Sequence, residues 1–391
     1  MRRDAILTIK LPVAGGGLES YSVREPRRFD KPTRAFTRRA LAAVHVVADP
    51  WSSKDPWLDS AIDWDATLAY RRHLWSWGLG VAEAMDTAQR GMGLDWLNSL
   101  ELVKRTLDAA KGVPGAFVAS GAGTDHLVAS PNVGIEQVIA AYEEQCSAIE
   151  KLGGRIILMA SRALAASARS PDDYGRVYDR ILSQVKEPVI IHWLGEMFDP
   201  ALAGYWGHSE HLRAMDVCVD VIRRNAAKVD GIKVSLLDKD KEIAMRRMLP
   251  SGVRMYTGDD FNFAELIEGD DQGHSDALLG IFDSIAPAAS AALSALASGD
   301  DANYHDILAP TVPLSRHIFQ APTRFYKTGV VFMAWLNGHQ EHFVMVGGQQ
   351  SARNLPHFAE LFRFADAAGL LRDPQLACHR MQHLLAMHGV A

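Results

Sequence analysis

The chain alternates eight times between a short β-rich run and a longer stretch of helical period, and no other feature restricts its fold as much. The runs are Ala42 to Ala48, Gly78 to Glu83, Gly115 to Ser120, Arg155 to Ser161, Pro188 to Leu194, Val229 to Leu237, Val253 to Thr257 and Ala277 to Ser284. Their spacing suits strand–loop–helix–loop units. Eight such units in succession predict an α/β fold, a (β/α)8 TIM barrel over residues 41–300. The competing layout, an open doubly wound sheet, carries a glycine-rich phosphate turn after an early strand. Here Gly78-Leu79-Gly80 has no third glycine at the required spacing.

The segments between the runs carry their own helix signals. Ile135, Val138, Ile139, Tyr142, Cys146 and Ile149 form one apolar helix face, and Gly153-Gly154 stops that helix. Ser170-Pro171-Asp172-Asp173 opens the next with a capping residue, a first-turn proline and negative charge near the positive end of the helix dipole. Lys239 to Met248 reads as a further helix, closed by Pro250 and Gly252.

Two additions flank the predicted barrel. Residues 1–40 hold a β-hairpin around Gly15-Gly16-Gly17, then a basic stretch, Arg27 to Arg39, read as a solvated linker. Residues 301–391 are expected to form a C-terminal helical extension packed on the barrel. With 48% hydrophobic and 23% charged residues the chain has the balance of a globular protein. Its 41 basic and 47 acidic residues give a net charge of −6, which leaves no electrostatic footprint for nucleic acid or an anionic membrane. Apolar runs stay well short of the roughly 20 residues of a membrane helix. Met1 to Ile6 leads into no signal-peptide pattern. Cys146, Cys218 and Cys378 are widely spaced and suggest reduced thiols, so a cytoplasmic protein is expected.

The sixth run, Val229 to Leu237, bears most directly on function. Side chains alternate along a strand, so Ile232, Val234 and Leu236 should meet the outer helices. Gly231, Lys233 and Ser235 should then face the barrel interior. A buried lysine is costly unless its charge is lost or paired. Desolvation lowers the pKa of an amine, and a neutral amine forms imines with carbonyl compounds. The other role open to Lys233 is a structural salt bridge. In the fifth run, His192 falls near the carboxyl end, where active sites of such barrels lie, and an imidazole there carries protons near neutral pH.

Five segments, in order, resemble the dihydrodipicolinate synthase / N-acetylneuraminate lyase superfamily. Gly231-Ile232-Lys233 is similar to the strand that bears the family's Schiff-base lysine, and Pro188 to Trp193 to the strand ending in Tyr-Asn. Ser120-Gly121-Ala122-Gly123-Thr124 resembles the glycine-rich end of the third strand, and Thr257-Gly258-Asp259-Asp260 the Gly-Asp-Asp end of the seventh. Ala277 to Pro287 resembles the eighth strand and its exit. The whole chain looks like a longer bacterial branch of the superfamily, of domain-of-unknown-function type. Two departures stand out. His192 occupies the family's tyrosine position, and Gly78 to Thr87 lacks the Thr-Thr turn that binds a carboxylate.

The resemblance implies a Schiff-base lyase or aldolase acting on a 2-oxo acid or keto sugar acid, without a cofactor, and a homo-oligomer. Lys233 would form the imine, with His192 and Glu83 moving protons. Gly121, Gly123, Thr124, Arg162, Ser235 and Asp259 are the candidate substrate-binding residues, Arg162 as a bidentate clamp for a carboxylate. Lys327 is read as a surface lysine, with a substrate phosphate as its alternative contact. A metal-dependent barrel enzyme would instead gather Glu83, Asp125, His126, His192 and Asp259 at the strand ends. His208/His211 and His339/His342 each show a His-x-x-His spacing and read as ordinary helix or loop histidines. A barrel that binds oxo acids without chemistry is the non-enzymatic reading.

Overall fold

The computed structural model describes residues 7–13 and 15–390. Met1 to Ile6, where the absence of a leader was read, lies outside the described residues, as do Ala14 and Ala391. Thr8–Pro12 (β1) and Leu18–Ser22 (β2) pair antiparallel as the expected hairpin. Ala40–Ala43 (β3), Gly80–Glu83 (β4), Val118–Ala122 (β5), Arg155–Leu158 (β6), Val189–Leu194 (β7), Val229–Ser235 (β8), Arg254–Thr257 (β9) and Asp276–Leu279 (β10) follow. These eight form one closed ring, in order, with every neighbouring pair parallel. The predicted TIM barrel is therefore the observed fold.

Local signals set the helices as expected. Helix Ile135–Lys151 buries Val138, Ile139, Tyr142, Cys146 and Ile149, and Gly153 follows it with φ +77°. Helix Pro171–Gln184 opens with the Ser170/Asp173 capping box. Helix Lys239–Met248 begins at Asp238, whose side chain accepts from the Lys241 N–H.

Alternation along the strands divides the core into two layers. Leu41, Ala43, Ala82, Ala119, Ile157, Ile190, Tyr256 and Leu278 fill the lumen. Val81, Ile191, Ile232, Val234, Leu236 and Leu279 belong to the larger layer between strands and helices. This assigns Gly231, Lys233 and Ser235 to the lumen side, as their parity requires.

The basic stretch is more than a solvated linker. Arg38 donates to the carbonyl oxygens of Ile267 and Glu268 (2.8 and 3.0 Å), and Arg39 to both oxygens of Asp230 at 2.9 Å. These bonds hold residues 38–39 at the amino-terminal end of the barrel, and the Arg27 N–H, donating to the Gly369 carbonyl at 2.9 Å, anchors the start of the strap. Beyond β10 the chain is helical. Tyr326–Leu336 is buried along its whole length, against the helices at 281–284, 355–367 and 374–387. Among the described residues no helix is long and apolar enough to cross a membrane.

Candidate active site

Lys233 sits mid-strand in β8, opposite His192 on β7 and Tyr256 on β9. It is only 7% exposed, and among the described residues its amine has no hydrogen-bond or ion-pair partner. Burial pushes its pKa down, while the charges of Asp260 and Asp86 pull the other way. Glycine is required beside it. A Cβ at Gly258 would lie 2.8 Å from Lys233 Cε and collide with Ser235 Oγ.

Two carboxylates and one imidazole surround this amine. Asp260 is buried and accepts from the Ile281 N–H at 2.8 Å. Burial raises its pKa to about 7, with the Ile281 hydrogen bond and the Lys233 charge opposing. His192 is buried too. Its Nε2 stands 3.3 Å from Ser235 Oγ, and its Nδ1 has no hydrogen-bond partner and lies 4.0 Å from Asp86 Oδ2. Burial and the neighbouring Lys233 hold His192 well below the usual imidazole range, so it is neutral at pH 7.

Beside this group a cleft of about 160 Å³ opens at the carboxyl ends of β4 to β7, with Asp86, Thr124, Arg162 and His192 in its walls. Lys233 pairs in register with His192, which lines the cleft, and does not itself line it. Thr124 shares a 2.6 Å hydrogen bond with Ser161. Arg162 is held by Asp199 and stays partly exposed to the cleft.

Other expected site residues are engaged elsewhere. Glu83 is directed outward, since Ala82 faces the lumen and the next residue must face the helices. It is fully buried, receives two hydrogen bonds from Arg71 (2.9 and 2.8 Å), and accepts from Thr106 at 2.6 Å and from the Ala84 N–H. The expectation of an acid/base role for Glu83 is corrected on that ground. Asp259 also turns away from the lumen. Its carboxylate accepts from the N–H groups of Phe261 and Asn262 and from the Asn262 side chain, closing the turn after β9. The Gly123 N–H donates to Gln145 Oε1 at 2.7 Å, and the Gly121 carbonyl accepts from Arg90, so neither backbone group is free for a ligand.

The fold adds Arg90 and Tyr326, which the sequence reading did not assign to the site, and gives Asp125 and Lys327 their surroundings. Arg90 binds Asp125 through Nε and Nη2 at 3.0 and 2.6 Å. Burial pushes Asp125 up, but Arg90 holds its pKa below the ordinary carboxylate range. From the C-terminal extension, Tyr326 shares a 2.8 Å hydrogen bond with Thr87. Lys327 is 4% exposed, which corrects the reading of a surface lysine. It donates to the Arg324 carbonyl at 3.0 Å, and burial pushes its pKa down to about 8 against the charge of Asp86. Among the described residues no group of three or more His, Cys, Asp or Glu is arranged to hold a metal ion. The candidate donors are dispersed. Glu83 and Asp259 face outward, and Asp125 is paired with Arg90.

A family model described as "Protein of unknown function (DUF993)" matches residues 9–390. No curated protein sequence matches the chain. Solved structures similar to it include dihydrodipicolinate synthase from Cyanidioschyzon merolae with lysine bound, with a TM-score of 0.63 and 15% identity over 86% of this chain and 100% of that one. The chloride-inhibited enzyme from Acinetobacter baumannii, complexed with pyruvate, gives 0.61 and 15% over 85% and 99%. The Aquifex aeolicus enzyme gives 0.59 and 11% over 90% and 98%. At such identity the likeness is one of fold. The chain is a member of the DUF993 family, and its fold is the barrel seen in the dihydrodipicolinate synthases.

Proposed function

We propose that the protein is a Schiff-base-forming lyase or aldolase that acts on a 2-oxo acid or keto sugar acid through Lys233. The observation that carries this reading is an amine buried in the lumen without a hydrogen-bond or ion-pair partner among the described residues, beside His192, which lines the cleft. A structural lysine in such a place would be tied to a carboxylate. An unpaired, desolvated amine is instead available as a nucleophile.

The steps balance with this chain's own groups. Neutral Lys233 Nζ adds to the carbonyl carbon, and the carbonyl oxygen takes a proton. The nitrogen loses one proton and the hydroxyl oxygen takes a second, then the nitrogen lone pair forms the C=N bond as the oxygen leaves as water. The product is a protonated imine, which draws electrons from the adjacent C–C or C–H bond. Asp260, titrating near neutrality beside Lys233, is the group that takes and returns these protons. His192, neutral and with a free Nδ1 toward Asp86, is the second proton carrier. Ser235 orients His192, while Arg162 and Thr124 bind the substrate's anionic end in the cleft. We place the protein in the cytoplasm and expect a homo-oligomer.

The test is borohydride reduction across a panel of 2-oxo acids, followed by peptide mass spectrometry. The expected result is a reduced adduct on the peptide holding Lys233 and its absence in Lys233→Ala. An adduct on another lysine, or no adduct with any oxo acid, overturns the reading.

A further inference from the structure

A second cleft, of about 590 Å³, lies between the strap at residues 26–31 and the C-terminal helices. It shares no lining residue with the cleft at the barrel mouth. We propose that it is a separate ligand site for a planar aromatic or heteroaromatic molecule that bears a carboxylate or phosphate.

Three properties of the walls point to that chemistry. The first is a set of rings from two parts of the chain. His339 stands 4.3 Å from His73 and 5.0 Å from Tyr70, the latter nearly perpendicular, and Trp77 lies on the same wall. Burial holds both imidazoles uncharged, His73 near 4 and His339 near 2, so the wall offers neutral faces for stacking.

The second property is charge. Arg28, Lys31 and Arg372 line the cleft, and none of them has an ion-pair partner among the described residues. Asp30 is the one carboxylate beside them without a partner, since Asp283 is engaged by His45 at 2.7 Å. The local excess is positive, on a chain whose net charge is −6. Lys31 already places its ammonium 3.4 Å from the centre of the Trp77 ring.

The third is unmet hydrogen bonding. Trp77 Nε1, Asp283 Oδ1 and Ser284 Oγ are buried atoms of lining residues that have no hydrogen-bond partner among the described residues. Trp77 and Asp283 are 9% and 1% exposed. These are a donor, an acceptor and a hydroxyl in residues that line the cleft, and a ring edge that carries both donor and acceptor atoms would answer them. The anionic group of such a molecule would face Arg28 and Arg372.

The experiment uses the full chain, with adenosine 5′-monophosphate and quinoline-2-carboxylate as probes, and adenosine, quinoline and inorganic phosphate as their separate halves. Calorimetry and tryptophan fluorescence are expected to show saturable binding of at least one ring anion, at least 10-fold tighter than either of its halves. Arg28→Glu with Arg372→Glu, both exposed positions, should weaken that binding at least 10-fold without lowering Tm. Lys233→Ala should bind as the parent does, which separates this site from the barrel mouth. Binding of phosphate as tight as that of the ring anions, no binding of either ring anion, or unchanged affinity in the charge-reversed variant overturns the proposal. Loss of binding in Lys233→Ala does so too, because it would assign the probe to the barrel mouth.

Discussion

The two ends of the barrel lumen use the same kinds of residue in opposite ways. At the amino-terminal end, Asp230 accepts from Arg39 and, at 2.6 Å, from Tyr256, and Arg254 pairs with Asp276 at 2.7 Å. Every one of these charges has a partner. At the carboxyl-terminal end, among the described residues, Lys233 has none, His192 Nδ1 has no hydrogen-bond partner, and the Asp260 carboxylate meets only the backbone N–H groups of Ile281 and Gly280. The lower group closes the barrel. The upper group is held at a cost that folding alone does not explain, because unpaired buried polar groups oppose stability. Charge in a barrel therefore says little about function until its partners are counted.

Variants at each end test this contrast, and Lys233 should give the largest effect. Lys233→Ala should abolish the borohydride adduct and lower turnover by at least about 10³-fold, while Tm holds or rises, since an unpaired buried amine is removed. A drop in Tm with the adduct intact would mean that Lys233 is structural. Glu83→Gln should follow, because Arg71 would be left as an unpaired charge with no exposure to water. We expect a loss of about 3–5 kcal/mol in denaturant unfolding, with the adduct still formed by the folded fraction. Full stability with turnover lost would restore the catalytic role that its position denies it.

Asp260→Asn should slow adduct formation by about 10²-fold and shift its pH profile. The sign follows from the charge. Asp260 raises the pKa of Lys233, so its removal lowers that pKa further and moves the rising limb of the profile to lower pH. A shift to higher pH, or none, would remove Asp260 from the mechanism. At the other end, Asp230→Asn should cost only about 1–2 kcal/mol, because its partner Arg39 is about one-third exposed, and should leave the adduct rate unchanged. A larger effect on rate than on stability would dissolve the contrast between the two ends.

A further pH effect belongs to the helix layer. Burial raises Glu242 to about 8, so the folded protein binds a proton there that the unfolded chain releases above about 4.5. Stability should fall as pH rises through that window, and Glu242→Gln should flatten the decline.

How much of the site was legible follows from one rule, applied well in one place and poorly in two. In β8, alternation from Ile232 assigned Lys233 to the lumen. The same count from Val81, an outward apolar residue, assigns Glu83 outward, and from Tyr256 it assigns Asp260 rather than Asp259 inward. The resemblance drew attention to Glu83 and, in Gly258-Asp259-Asp260, to the aspartate that faces outward. Tyr326 carries no such signal, and Lys327 reads as a surface lysine whose alternative contact is a substrate phosphate. Their segment reads as one more apolar helix, and only its docking on the barrel brings them to the region of Asp86.

The sequence by itself determined the architecture. Eight strand–helix repeats, with caps and glycines where helices begin and end, are local signals, and a closed parallel ring is what they build. It also determined which face of β8 carries the lysine, because a period of two is a property of the backbone. Only the tertiary structure decided which charges are answered. Whether Lys233 stands alone while Glu83 meets Arg71 depends on distances between strands and helices far apart in the chain. A partner 12 residues away on another element, or one more than 200 residues away, leaves no periodic trace in the order of residues.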